Sequence, residues 1–279
     1  MDFANIARRV ERKQAWASAQ LSTSSLPVGG GLATYSGPGG YANRACAMGL
    51  DGPVADQDIS AMIAFFESRG EEARVEICPF TDGALVQALG EHGFVLKHFV
   101  DVFVLPYQRS FVPEPPVLPD GVVIELLDKT DPAMVRAFAE ANERGFAAEG
   151  EPVSSSVIEL TIKGLLVSTN ESFFARTSSG EIIGLGGSES SDGLTVLYGA
   201  TVVPAWRGRG IQRALMLARL AAGMRRGSDL ACVMTSPGIS TARNALRLGF
   251  SMAYTRVALR RPLGGGQWAT ARTRSASAL

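Results

Sequence analysis

Cysteine and histidine are scarce in this 279-residue chain. The three cysteines, Cys46, Cys78 and Cys232, show no C-x-x-C spacing. An odd, sparse set excludes a disulfide framework and points to a reducing compartment. The two histidines, His92 and His98, sit in no metal-ligand pattern, so no metal is expected. An excess of one charge is missing too, with 27 Lys+Arg against 27 Asp+Glu. That removes the global basic field that would make nucleic acid or an anionic membrane the main partner. No apolar run approaches the roughly 20 residues of a membrane span. The opening MDFANIARRVERKQAW is charged throughout and lacks the apolar stretch of a secretory leader. A cytoplasmic protein with neither nucleic-acid nor membrane partners is expected.

What is present is unevenly spread. Hydrophobic residues make up 46% of the chain, ample for a real core. Between 200 and 261 a single acid, Asp229, faces eleven arginines. A neutral chain that concentrates arginine in one segment has an anion to hold there. The stretch 106–121 (PYQRSFVPEPPVLPDG) holds five prolines and can continue neither a helix nor a central strand. It reads as a linker over 111–120, separating a domain at 1–110 from one at 121–263. The Gly/Ala/Ser/Thr/Arg-rich segment 264–279 reads as a flexible tail. Both halves end alike. A helix over 85–90 leads to Gly93-Phe94, an alternating strand and Pro106. A helix over 241–248 leads to Gly249-Phe250, a strand and Pro262. The Gly-Phe pair precedes the proline by the same spacing each time, which suggests two copies of one supersecondary unit.

The second half reads β-α-α-β-β-β-α-β-α-β. Strands are expected at 122–127, 172–177, 181–188, 194–203 and 230–235. Helices are expected at 132–145 (capped by Asp131), 155–167, 208–226 and 241–248. Its most informative segment is LYGATVVPAWRGRGIQRAL (197–215). An apolar strand ends at Val203, Pro204 stops the ladder, and Arg207-Gly208-Arg209-Gly210 opens a helix. Glycines there let backbone approach a ligand closely. The first free N–H groups of the helix, with the positive end of its dipole behind them, suit a phosphate or pyrophosphate. Neither GxxxxGK[ST] nor GxGxxG is present, so this is no Walker loop and no dinucleotide fingerprint.

The segment resembles the cofactor motif of the GCN5-related N-acetyltransferase (GNAT) superfamily, V-x-P-x-x-R-G-x-G-I. Val202, Pro204, Arg207, Gly208, Gly210 and Ile211 match, while Gln212 stands where that family has Gly or Ala. STARNALRLGF (240–250) resembles its closing helix and Gly-Phe turn. The resemblance covers about 121–262, and the first half resembles a degenerate copy that lacks R-G-x-G. An α/β (α+β) fold is implied, a mixed central sheet flanked by helices, in two such halves.

The implied activity is acetyl-CoA-dependent N-acetylation of a primary amine, small molecule or peptide, by direct attack on the thioester. Acetyl-CoA would be held by backbone at Val202 and Val203, by the turn Arg207, Gly208, Arg209, Gly210, Ile211 and Gln212, and by Arg243 and Asn244 of the closing helix. The family's frequent general acid is a tyrosine at the position occupied here by Ala245. Its replacements are Tyr198, Tyr254, Ser236 or a water. Glu189, Glu143 and Glu149 are candidate bases. A non-catalytic acyl-CoA-binding module is the alternative, and a homodimer is open.

Overall fold

The computed structural model describes residues 2–107, 116–146 and 152–264. Its first half runs α1 (Phe3–Leu21), β1 (Ser24–Val28), β2 (Gly31–Tyr35), β3 (Arg44–Cys46), α2 (Asp56–Glu67), β4 (Ala73–Ile77), α3 (Gly83–Glu91) and β5 (Val95–Pro106). The second runs β6 (Val122–Leu126), α4 (Pro132–Phe146), α5 (Ser155–Leu166), β7 (Asn170–Thr177), β8 (Ile182–Ser191) and β9 (Leu194–Val202). It continues through a 3-10 turn (Pro204–Trp206), α6 (Ile211–Arg225), β10 (Leu230–Thr235), α7 (Ser240–Arg247) and β11 (Ser251–Arg261). The expected second-half elements are all found, displaced by a few residues at their ends. Asp131 caps α4 as expected, its Oδ1 accepting from the N–H groups of Ala133 (3.0 Å) and Met134 (3.1 Å). The helix expected from 208 starts at Ile211, because Gly208 and Gly210 take φ of +77° and +81° and cannot belong to a right-handed helix.

The chain forms two compact units, and they do not divide at the Pro-rich stretch. Of the described residues, the first unit takes 2–101 and 253–264, and the second takes 102–107, 116–146 and 152–252. The expected domains at 1–110 and 121–263 are thereby corrected. Strand pairing is the reason. In the first unit the order is β1-β2-β3-β4-β11-β5, so β11, from the end of the chain, fills the place beside β4. In the second the order is β5-β10-β9-β8-β7-β6, and residues 102–106 of β5 lie beside β10. Each unit is completed by the strand that closes the other half of the sequence. Residues 108–115 of the expected linker and 265–279 of the expected tail lie outside the described residues.

In the first unit α2 and α3 bury Ile59, Met62, Phe66, Leu85 and Leu89 against Val75, Ile77 and Phe94. β3 and β4 are parallel and share one register pair, Ala45↔Val75. On the strands' other face Arg256 is buried between two carboxylates, bonding Glu11 Oε1 (3.1 Å) and Glu76 Oε2 (2.5 Å). In the second unit β6 to β9 form an antiparallel meander, and β10 runs parallel to β9. α6 covers one face, with Ile211 and Leu215 against Phe173, Ile183 and Val202. α4 and α5 cover the other, with Val135, Phe138 and Leu165 against Phe174 and Leu185. Phe103 and Leu105 of β5 join Met216, Leu220, Ala245 and Phe250 in a third cluster. No helix among the described residues is long and apolar enough to cross a membrane.

Candidate active site

In the second unit two neighbouring strands part company. β10 pairs with β9 only through Leu230↔Leu194 to Val233↔Leu197. β9 then runs on to Val202, where among the described residues its one strand partner is β8, through Leu185↔Thr201 and Gly184↔Val202. Its edge toward β10 is open beyond Tyr198. The register between β8 and β9 also slips between Leu185 and Gly187, where β9 carries one extra residue and Gly199 takes φ of +54°. This is a β-bulge, which bends and re-aims the strand.

The open edge leads into the glycine turn. Gly210 caps α6 with no side chain over its first N–H groups, so the turn and the helix dipole present unpaired donors. A Cβ on Gly208 would meet nothing within 4 Å, which leaves room for a group lying on the turn. Both features face one cleft of about 680 Å³, lined by Ala200, Thr201, Val202, Trp206, Arg207, Gly208, Gly210, Ile211, Gln212, Arg213, Ser240, Thr241, Arg243, Asn244 and Arg247 among others. Four arginines and a helix N-terminus around one space are a donor set that could hold a large anion.

No family model matches the chain, and no curated protein matches it. Solved structures do. A GCN5-related N-acetyltransferase from Kribbella flavida superposes with a TM-score of 0.71 at 18% identity, over 95% of this chain and 98% of that one. The fold is that of the GCN5-related N-acetyltransferases. A tandem GNAT protein from the clavulanic acid biosynthesis pathway matches at TM-score 0.57 and 14% identity, over 72% of this chain and 67% of that one. A putative acetyltransferase of the GNAT family from Novosphingobium aromaticivorans matches at 0.53 and 17%, over 90% and 97%.

Eight of the ten residues expected to hold a cofactor line this cleft of the GNAT fold, and two, Val203 and Arg209, do not. The Val203 N–H is already given to the Ile183 carbonyl (2.9 Å), so it cannot serve an added strand. Alternation turns Val202 the other way, toward the open edge, where Arg207 Nε takes its carbonyl (3.0 Å). Arg209 is not among the lining residues; its guanidinium stacks over the Trp206 ring at 5.0 Å. Gln212 joins the two helices that flank the cleft. Its Nε2 donates to Thr241 Oγ1 (3.1 Å) and its Oε1 accepts from Asn244 Nδ2 (2.7 Å). Arg243 Nη1 bonds the Gly238 carbonyl (3.0 Å).

The catalytic candidates fare unequally. Ala245 is fully buried in the third core cluster, so that position of α7 faces inward and a tyrosine there would not reach the cleft. Tyr254 belongs to the first unit, where its hydroxyl donates to Glu11 Oε1 (2.7 Å); it does not join the cleft. Glu189 is buried on β8 and accepts from Ser191 Oγ (2.6 Å). Tyr198 is 37% exposed and stands at the bulge itself. Glu143, on α4, accepts from Asn142 Nδ2 (3.0 Å) and Thr161 Oγ1 (2.7 Å), and Asn142 Oδ1 approaches the bulge at Gly199. Ser236 is exposed beyond β10, and Glu149 lies outside the described residues. Among the described residues no cluster of His, Cys, Asp or Glu could hold a metal ion. The sequence reading missed Arg219, a fully buried cation on α6 whose helical spacing looks like one more solvated arginine.

Proposed function

We propose that this protein is an acetyl-CoA-dependent N-acetyltransferase acting on a primary amine. The observation that carries the reading is the opening of one cleft onto both the unpaired edge of β9 and the uncapped glycine turn at the head of α6. The donor set fits coenzyme A. A pyrophosphate would lie on the N–H groups of Gly208 to Gln212, with Arg207 and Arg213 supplying charge. Val202 would offer its N–H to an extended amide arm, as a strand does. Asn244, Gln212 and Arg243 would border that arm from the side of α7. Bound acetyl-CoA would supply an acyl group already activated as a thioester. The chain's part is to hold that group, exclude water and exchange protons. Of the three expected catalytic residues, Tyr198 would exchange the proton: it is exposed at the bulge, two residues before Ala200 of the cleft wall, although it is not itself a lining residue. Glu143, bonded to the Asn142 that approaches Gly199, would be the carboxylate.

Titration calorimetry with coenzyme A tests the cofactor half of the reading. Binding is expected, and it should weaken as salt rises because phosphate–arginine attraction is screened. A panel of small amines and peptide N-termini, read by thiol release, tests the transfer half. Coenzyme A binding with no thiol release from any amine would favour an acyl-CoA-binding module instead.

A further inference from the structure

Two adjacent glycines on β8 make room for two large side chains on opposite faces of the sheet. A Cβ on Gly186 would come within 2.8 Å of Arg219 Cζ, and one on Gly187 within 2.5 Å of the Tyr198 ring. Both are closer than real Cβ contacts come. Arg219 therefore presses on β8 from the α6 side and Tyr198 presses on it from the other, with the main chain of 186–187 between them.

Arg219 is 1% exposed. Its Nε donates to the Leu215 carbonyl one turn back (2.9 Å). Its Nη1 donates to the carbonyls of Gly187 (3.1 Å) and Tyr198 (3.3 Å). Gly187 and Tyr198 are register partners, and the bulge begins beside them. One guanidinium thus grips both strands where β9 is re-aimed. Burial lowers its pKa to about 10, and a negative charge on Tyr198 works the other way. A cation buried among carbonyls is costly, and an apolar side chain could fill the same space at less cost.

We infer that Arg219 is a positioning residue that fixes Tyr198 at the bulge of β9 and fits its phenol to exchange a proton during acyl transfer, an inference that rests on the acetyltransferase reading. The step balances simply. The amine nitrogen bonds to the acyl carbon, the carbon–sulfur bond breaks, and its electron pair leaves on sulfur. The Tyr198 phenol gives its proton to that sulfur and regains one from solvent. The proton shed by the amine goes to water or a carboxylate. A charge on Arg219 of α6 favours the ionised phenol. Glu189, two residues beyond Gly187 on the same face of β8, and Glu143 of α4, the helix packed on that face, would oppose it when ionised.

Phenolate absorbance of the full-length protein across a pH titration tests this. Subtracting the curve of Tyr198→Phe isolates Tyr198 from the other tyrosines. Arg219→Gln should raise the Tyr198 midpoint by about one pH unit or more, and Arg219→Lys, which keeps the charge, should restore most of it. Should Arg219→Gln fail to fold, Gly186→Ala displaces the guanidinium by contact and should shift the midpoint the same way. A midpoint unmoved by Arg219→Gln, or by Gly186→Ala in its place, overturns the inference. Thermal stabilisation by acetyl-CoA, read on the same samples, separates the two claims. Stabilisation of wild type with an unmoved midpoint sinks the Arg219 link alone. No stabilisation of wild type sinks both, because Tyr198 then has no acyl transfer to serve.

Discussion

Glu11 and Glu76 share Arg256, yet burial treats them differently. Burial raises the Glu11 pKa, and Arg256 and Tyr254 only partly offset it. Burial also pushes Glu76 upward, but Arg44 and Arg256 together overcome it and leave Glu76 below its ordinary value of 4.5. The signs follow. Glu76 contributes stability above pH 4.5 that is lost as pH falls through its lower native value. Glu11 is least costly below pH 4.5, and its cost grows as pH rises through its higher native value. Glu76→Gln should therefore destabilise the protein by about 3–5 kcal/mol at neutral pH, the cost of stranding buried cations, and Glu11→Gln by clearly less. Urea denaturation at pH 7 measures both, and the Glu76→Gln deficit should shrink at pH 3. Equal deficits would refute the ordering. The Cys46 thiol beside them is pushed up to about 12 by burial and by Glu76, so it is an inert packing group.

At the scale of elements, the turn before α6 carries the account. Gly210 sits at φ +81°, where an added Cβ costs about 1–2 kcal/mol. Gly210→Ala should lose about that much stability by chemical denaturation and weaken coenzyme A binding several-fold. Unchanged binding would place the pyrophosphate elsewhere. This turn was legible in the sequence because its signals are local: Pro204 ends a strand, two glycines break the helix and arginines flank them. The second-half strands and helices were legible from periodicity for the same reason. Which way a strand amide points was not. Val203 loses its expected role because the bulge at Gly199 sets the phase of β9, and a bulge is decided by the partner strand. Ala245 was placed by spacing alone, and only packing shows that it faces the core. Arg219 was hidden because its burial depends on two glycines on another strand. In the first half, α1, α2 and β1 to β3 were not read, as their apolar positions are interrupted by charged and small residues.

At the scale of the whole chain, the halves exchange their closing strands. The matching Gly-Phe endings revealed the repeat in the sequence, but pairing between distant strands leaves no local mark, so the division at the prolines was wrong. Expressing 1–110 and 116–279 as separate chains should give two fragments that do not fold alone. The first lacks β11 beside β4, and the second lacks the Phe103 and Leu105 that fill its third core cluster. Mixing the two should restore cooperative unfolding and near-native circular dichroism. A fragment that folds by itself would contradict this. The central claim is that the cleft of the second unit holds acetyl-CoA on the glycine turn. Thermal unfolding of wild type and of Arg207→Ala/Gly210→Glu, each with and without acetyl-CoA, tests it most directly. At one hundred times the dissociation constant the ligand adds about 2.7 kcal/mol, which should raise the wild-type midpoint by roughly 5–10 °C and leave the double variant unmoved. No shift in wild type at millimolar acetyl-CoA, or an equal shift in the variant, would contradict the account.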